Sequence, residues 1–418
     1  MNPYCRSRRR LLGGLLLACA SPVLQAQDRP GQASARLVVL FLRGACDGLS
    51  AFVPHADPHY YQLRQQIAIA PPDGSAQAAL RLDASFGLHP ALAELLPLWN
   101  QGLLAFVPAA GSPDPTRSHF EAQHHWETGL PGRNGAAPGW LNRLADIRAE
   151  GADGPAGAAA SAVGVGEANP QILAGTAPVR LVPRGRSAAR AGAIGDERTR
   201  QALLDLYAGQ DPLAQAFRAG AQSRLQTAQT LDTAQIRAEL MAADNGAGNP
   251  AGLLLDARHL GALMRQERSL RLGFLSAGGW DTHANQGGAS GALAQNFANL
   301  ARALLQLRRD FSGPRDLVVV LSEFGRTCAE NGSRGTDHGH GNAIWLLGQQ
   351  VNGGRWHGDW GSLAPGNLHE GRDLPVLHDF RALLAQVLHA GFGVSASQLQ
   401  TLFPGAEWDH GLDALMKA

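Results

Sequence analysis

At 418 residues, 44% of them hydrophobic and 17% charged, the chain has a globular composition and enough length to bury a large core in one or two domains. Its formal net charge is +1, and loss of an N-terminal leader carrying four arginines and no acid leaves 32 bases against 35 acids, a balance of −3. That balance excludes a basic nucleic-acid footprint or a polybasic membrane patch. The 51 glycines predict many loops and tight turns.

Ser7-Arg8-Arg9-Arg10-Leu11-Leu12 precedes an apolar run to Ala20, and Ala26 offers a small residue for cleavage. This reads as a signal peptide over 1–26, too short to span a membrane. The paired arginines read as a twin-arginine signal, which exports folded proteins, against an ordinary secretory signal with an Arg-rich start. The expected location is the periplasm or another exported compartment. Leu16-Leu17-Ala18-Cys19 also resembles a lipoprotein cleavage box, which would leave Cys19 as a lipid anchor. No other apolar run reaches spanning length. The remainder, 27–418, reads as one α/β domain with a helical insertion around 190–268.

Arg36 to Leu42 predicts a strand buried on both faces. It ends in Gly44-Ala45-Cys46-Asp47-Gly48, so Asp47 sits at a strand's carboxyl end. Asp47 reads either as a metal-ligating carboxylate or as an Asp in a turn beside Gly. His89 to Gln101 has helical spacing, shortened or kinked by Pro97. Leu103 to Val107 predicts a second strand. The prolines at 113 and 115 delay the next helix until after Pro115. Ser118 or Thr116 could cap that helix, with Glu121 completing a capping box. A hydroxyl at a helix N-terminus is also well placed as a phosphate-accepting nucleophile, because the free amides and dipole stabilise an anion.

Ala162 to Gly166 predicts a short strand. Thr199 to Met241 and Gly252 to Arg268 predict helices. Leu270 to Ser276 predicts another strand, ending in Gly278-Gly279-Trp280-Asp281-Thr282-His283. Asp281 and His283 offer a carboxylate and an imidazole, donors that suit zinc, manganese or iron; a surface turn is the other reading. Leu293, Phe297, Leu300, Leu304 and Leu307 predict an amphipathic helix over 291–311. It leads straight into a strand at Leu317 to Leu321, which implies a parallel crossover. That strand ends in Ser322-Glu323. A Gly-rich loop with Asp337, His338 and His340 follows, then a strand at Ala343 to Leu347 and a last helix within 375–392. Cys46 and Cys328 read as one disulfide or as two isolated thiols.

Asp47, Asp281, His283, Glu323 and His338 all follow strand-like runs or lie in the loop after one. In a parallel sheet those ends share one edge, where ligands bind in open α/β sheets. HExxH, Walker A, GxGxxG and GxSxG are absent, which argues against zincin proteases, P-loop hydrolases, dinucleotide dehydrogenases and α/β-hydrolases.

The stretches FLRGACDGLSAFVP, RSHFEAQHHWETG, GGWDTHANQ and SEFGRT followed by GTDHG resemble the DUF1501 family, which is usually exported by a twin-arginine signal. That family is regarded as related to the alkaline phosphatase/sulfatase superfamily. The resemblance implies an alkaline-phosphatase-like three-layer αβα sandwich with a mainly parallel central sheet. It implies metal-dependent hydrolysis of a phosphoester or related ester, with Ser118 as nucleophile and Thr116 in reserve. Asp281, His283 and His338 would hold one ion, Asp47, Glu323 and Ser118 a second, and Arg117 or Arg326 would clamp the anion. One or two divalent ions, zinc or manganese, are implied. The superfamily usually places Asp-His where this chain has Glu323-Phe324, so the second site loses an imidazole. His340 could replace it, or one ion or none could bind. The cysteine-type sulfatase signature is absent. A non-catalytic exported binding or assembly factor on the same scaffold is the alternative. The expected substrate is a small molecule, a glycan or a phosphoester of unassigned identity, and an unidentified partner protein from the same export system is the further expectation.

Overall fold

Residues 37–42 are all apolar and all buried, because the strand Arg36–Leu42 (β1) is covered on both faces. Val38, Leu40 and Leu42 enter one core while Leu37, Val39 and Phe41 enter another. Side chains alternate across a strand, so a continuous apolar run demands cover on each side. Each fully buried Val, Leu or Phe contributes about 1.5–3 kcal/mol. The computed structural model describes residues 35–132, 135–150, 160–166, 170–185, 192–231 and 252–417. All lie within one compact unit, residues 33–418. The leader expected at 1–26 lies outside the described residues.

Six further strands complete the main part of the sheet: Leu104–Gly111 (β2), Ala162–Gly166 (β3), Val179–Pro183 (β4), Leu272–Ala277 (β5), Asp316–Leu321 (β6) and Asn342–Gly348 (β7). The order is Arg355–Trp356, then β2, β7, β6, β1, β5, β3 and β4. Only β7 runs against its neighbours, pairing antiparallel with β2 and β6. Both β5 and β6 flank β1 in parallel, as the crossover between them requires. The sequence prediction missed β4, whose burial alternates in place of forming an apolar run.

Helices cover both faces. Gly252–Gln266 and Ala292–Asp310 bury Leu260, Leu263, Leu300 and Leu304 in the first core. Trp140–Glu150 and Phe380–Phe392 bury Leu141, Leu144, Leu383 and Leu384 in the second. The protein is therefore a mixed α/β fold with a mainly parallel central sheet. Of the region expected as an insertion, Glu197–Leu206 buries no residue, whereas Gly252–Gln266 belongs to a covering layer. No helix among the described residues is long and apolar enough to cross a membrane. Cys46 and Cys328 are buried, unbridged thiols.

The carboxyl ends of β1, β2, β5 and β6, with the start of β7, open on one edge. Two glycines let the loops there close on each other. Gly44, at φ +114°, is packed so tightly on the Asp281 backbone that a Cβ would lie 2.8 Å from its nitrogen. At Gly335 a Cβ would lie 2.4 Å from the His283 carbonyl carbon. Only glycine permits either approach.

Candidate metal centre

The prolines after β2 keep the chain extended until His119, where the helix His119–Thr128 begins. Ser118 holds the N-cap position and is exposed, but its side chain makes no capping hydrogen bond. The expected capping box does not form. Instead Thr116 Oγ1 accepts from the Ser118 amide at 3.3 Å and donates to Glu121 at 2.6 Å. His119 projects toward the loops after β5 and β6.

There, three imidazoles and a carboxylate meet. The Nε2 atoms of His119 and His338 are 3.0 Å apart, as are those of His283 and His338. Asp281 Oδ1 lies 3.0 Å from His283 Nε2, 3.3 Å from His338 Nε2 and 3.6 Å from His119 Nε2. His119, Asp281 and His338 together form a group that could hold a metal ion.

The opposite ring nitrogens fix the tautomers. His119 Nδ1 faces Glu323 Oε1 at 2.8 Å, His283 Nδ1 faces Asp337 Oδ1 at 3.0 Å, and His338 Nδ1 faces the Arg117 carbonyl at 3.0 Å. Carboxylates and carbonyls only accept, so each Nδ1 carries a hydrogen, and a ring in its neutral form turns a bare Nε2 lone pair inward; the hydrogen bond to Glu323 raises the His119 pKa. Three lone pairs and an anionic oxygen facing one another repel. A proton on one nitrogen would serve one contact and leave the rest unmatched. A cation among His119, Asp281 and His338 resolves their contacts together. Ligands about 2.0–2.2 Å from a shared ion, at angles of roughly 90–120°, stand about 2.8–3.8 Å from each other. Metal-bound histidines characteristically donate their second ring N–H to a carboxylate or a carbonyl. His119, Asp281 and His338 fit a divalent ion on both counts.

The surroundings hold these charge states. Partial burial disfavours the Asp281 anion, but the Arg326 guanidinium, 2.6 Å away, outweighs it and keeps the carboxyl below its usual range. Glu323 is fully buried, yet hydrogen bonds from His119, Gln123 and the Gly44 amide lower its pKa. Phe324 is buried and stacks on His119 with ring centroids 4.9 Å apart. The residue standing where an imidazole was expected thus walls the cluster.

Several expected site residues lie elsewhere. Asp47 is buried against Arg64, with hydrogen bonds of 2.7 and 3.0 Å, and also accepts from Ser50 and Gln286. A guanidinium and two further donors occupy its carboxylate. Glu323 touches the cluster through His119, with both oxygens engaged. Asp47, Glu323 and Ser118 therefore do not assemble a second ligand cluster among the described residues. His340 packs against His369 with ring centroids 4.5 Å apart, and burial followed by the His369 charge brings its pKa to about 4. Arg117 is bound to Glu370 and Asp373. Arg326 is buried and donates to the carbonyls of Gly44, Ala45, Trp280 and Thr336 as well as to Asp281.

His119 is absent from the residues expected at the site, because the neighbouring Ser118 hydroxyl offers the more familiar nucleophile signal at a helix N-terminus. Its signal was available: it is an imidazole in the segment after β2, on the edge that carries the others. Asp337 was noted only as part of the loop, and its role beside His283 required the folded structure.

Fold and cluster together define an α/β protein with a His/Asp group that could hold a metal ion at the carboxyl edge of its sheet. The sequence matches the DUF1501 family, described as a protein of unknown function, over residues 34–403, and the chain belongs to that family. No curated protein matches it significantly. Among solved structures, it is similar to an alkaline phosphatase from the Antarctic bacterium TAB5, at 10% identity and a TM-score of 0.31, covering 78% of this chain and 95% of that one. A cold-active alkaline phosphatase from the psychrophile Shewanella sp. matches at 13% identity and a TM-score of 0.24, covering 69% and 68%. Both scores are low, and neither enzyme's activity transfers to this chain on them.

Proposed function

We propose that this chain is an exported metal-dependent hydrolase of phosphoesters or related esters on an alkaline-phosphatase-like scaffold. Its centre is one divalent ion held by His119, Asp281 and His338, with His283 beside Asp281 and His338. The observation that carries the reading is the convergence of His119 Nε2 and His338 Nε2 on Asp281 Oδ1, with His283 Nε2 beside them. The nitrogen-rich donor set suits zinc better than magnesium or calcium, with manganese the next fit. One ion is favoured over two because Asp47 and Glu323 are already engaged.

A divalent ion bound there would act as a Lewis acid on an ester oxygen. Glu323, Asp337 and the Arg117 carbonyl hold the imidazoles in the ligating tautomer. Arg326 keeps Asp281 ionised, and Phe324 shields one face of His119. Ser118 stands next to His119 at the helix N-terminus with its hydroxyl uncommitted to capping. The first-turn amides there favour an anion.

The commitment of Arg117 and Arg326 to ion pairs favours a second reading, an exported metal-binding or assembly factor without turnover. Metal analysis of the purified protein, followed by a screen of phosphate and sulfate esters with Ser118→Ala as control, separates the two. About one ion per chain and turnover lost in Ser118→Ala supports the hydrolase. One ion without turnover favours a metal-binding factor, and a metal-free chain after reconstitution sinks the hydrolase and leaves only an assembly factor that needs no metal. Replacing Arg8 and Arg9 with lysine should trap the protein inside the cell if the leader is a twin-arginine signal.

A further inference from the structure

The loop carrying Asp281 and His283 and the loop carrying His338 leave different strands, yet the centre needs Asp281 Oδ1 and His338 Nε2 at 3.3 Å. One buried amide spans them. Gln286 is fully buried, and its Oε1 accepts from Thr282 Oγ1 and from Thr336 Oγ1, each at 2.8 Å. Thr282 stands between Asp281 and His283, and Thr336 is two residues before His338. On the other side of the amide, Gln286 Nε2 donates to Asp47 Oδ2 at 2.7 Å. A carboxylate only accepts and a hydroxyl proton needs an acceptor, so this network admits one orientation of the amide. Asp47 is in turn held by Arg64 at the end of β1. The backbone amides of Asn285 and Gln286 donate to the carbonyls of Ser333 and Arg334, lacing the same two loops.

We infer that Gln286 is a positioning residue of the metal centre, setting the separation of the two ligand-bearing loops from the buried Asp47–Arg64 pair. The inference rests on the proposal that His119, Asp281 and His338 bind a divalent ion. It gives Asp47 a role in holding the site from beneath, and it accounts for Thr282, Gln286 and Thr336 in GGWDTHANQ and GTDHG.

The test compares zinc affinity, the absorption spectrum of the cobalt-substituted protein and the melting temperature of the metal-free protein. The variants are Gln286→Met, Thr282→Val, Thr336→Val and Thr282→Ser. Removing such an outer support is expected to weaken metal binding about 10–100-fold. Gln286→Met should do so and shift the cobalt spectrum, each Thr→Val change should lose part of the affinity, and Thr282→Ser should retain it. Because the groups share one amide, Thr282→Val added to Gln286→Met should cost little more than Gln286→Met alone. Variants that bind zinc as tightly as wild type, with an unchanged spectrum and only a lower melting temperature, overturn this inference alone. If Gln286→Met fails to fold, the two Thr→Val variants decide in the same way. A wild-type chain that binds no zinc overturns the metal centre and this inference together.

Discussion

Glu323→Gln separates an orienting carboxylate from a direct ligand. Glu323 Oε1 accepts from His119 Nδ1 at 2.8 Å, the Gly44 amide at 2.7 Å and Gln123 at 2.9 Å, while Oε2 faces Ser322 Oγ at 3.0 Å. A glutamine amide with its oxygen at the Oε1 position keeps all three donors matched and turns its NH₂ toward the serine hydroxyl. The substitution therefore removes the charge with little change of shape. Hydrogen bonds to charged groups are worth about 1.5–3 kcal/mol net against about 0.5–1.5 for neutral ones. The His119 imidazole loses about 1–1.5 kcal/mol of support, which is about tenfold in metal affinity. Zinc competition titrations on the metal-free protein measure this directly. Wild-type affinity would refute the orienting role, and complete loss of stoichiometric binding would make Glu323 a ligand.

Arg64→Ala should destabilise the protein by about 3–5 kcal/mol in urea unfolding, because it leaves the Asp47 carboxylate buried and uncompensated; a loss below about 1 kcal/mol would contradict the buried pairing. Acid should destabilise the fold through His89 and His259, whose pKa values burial lowers from 6.5 to about 4. Both are neutral in the fold and take up protons on unfolding, so their contribution is complete above about pH 6.5 and is lost as pH falls toward 4. Each shift corresponds to about 3 kcal/mol, and His89→Gln should flatten the fall in melting temperature between pH 6.5 and 4; an unchanged profile would refute it.

Local pattern carried much of the fold. Arg36 to Leu42 and Ala162 to Gly166 were located to the residue, and the spacing from Leu293 to Leu307 marked a helix that the structure bounds at Ala292–Asp310. Runs and periods are set by which face must leave water, and that is written in adjacent residues. The alternating burial of Val179–Pro183 gave no such run.

For the site, the sequence determined which chemistry lies at the carboxyl edge: Asp281, His283 and His338 sit in the loops after apolar strands. It did not determine which donors share an atom-sized space. Asp47 and His119 were both at that edge by sequence. Packing delivered Asp47 to Arg64 and His119 to the Nε2 cluster. A carboxylate after a strand looks the same in sequence whether it meets an ion or a guanidinium. What decides is a partner 17 residues away for Asp47 and 219 residues away for His119, and only the folded chain brings such partners together.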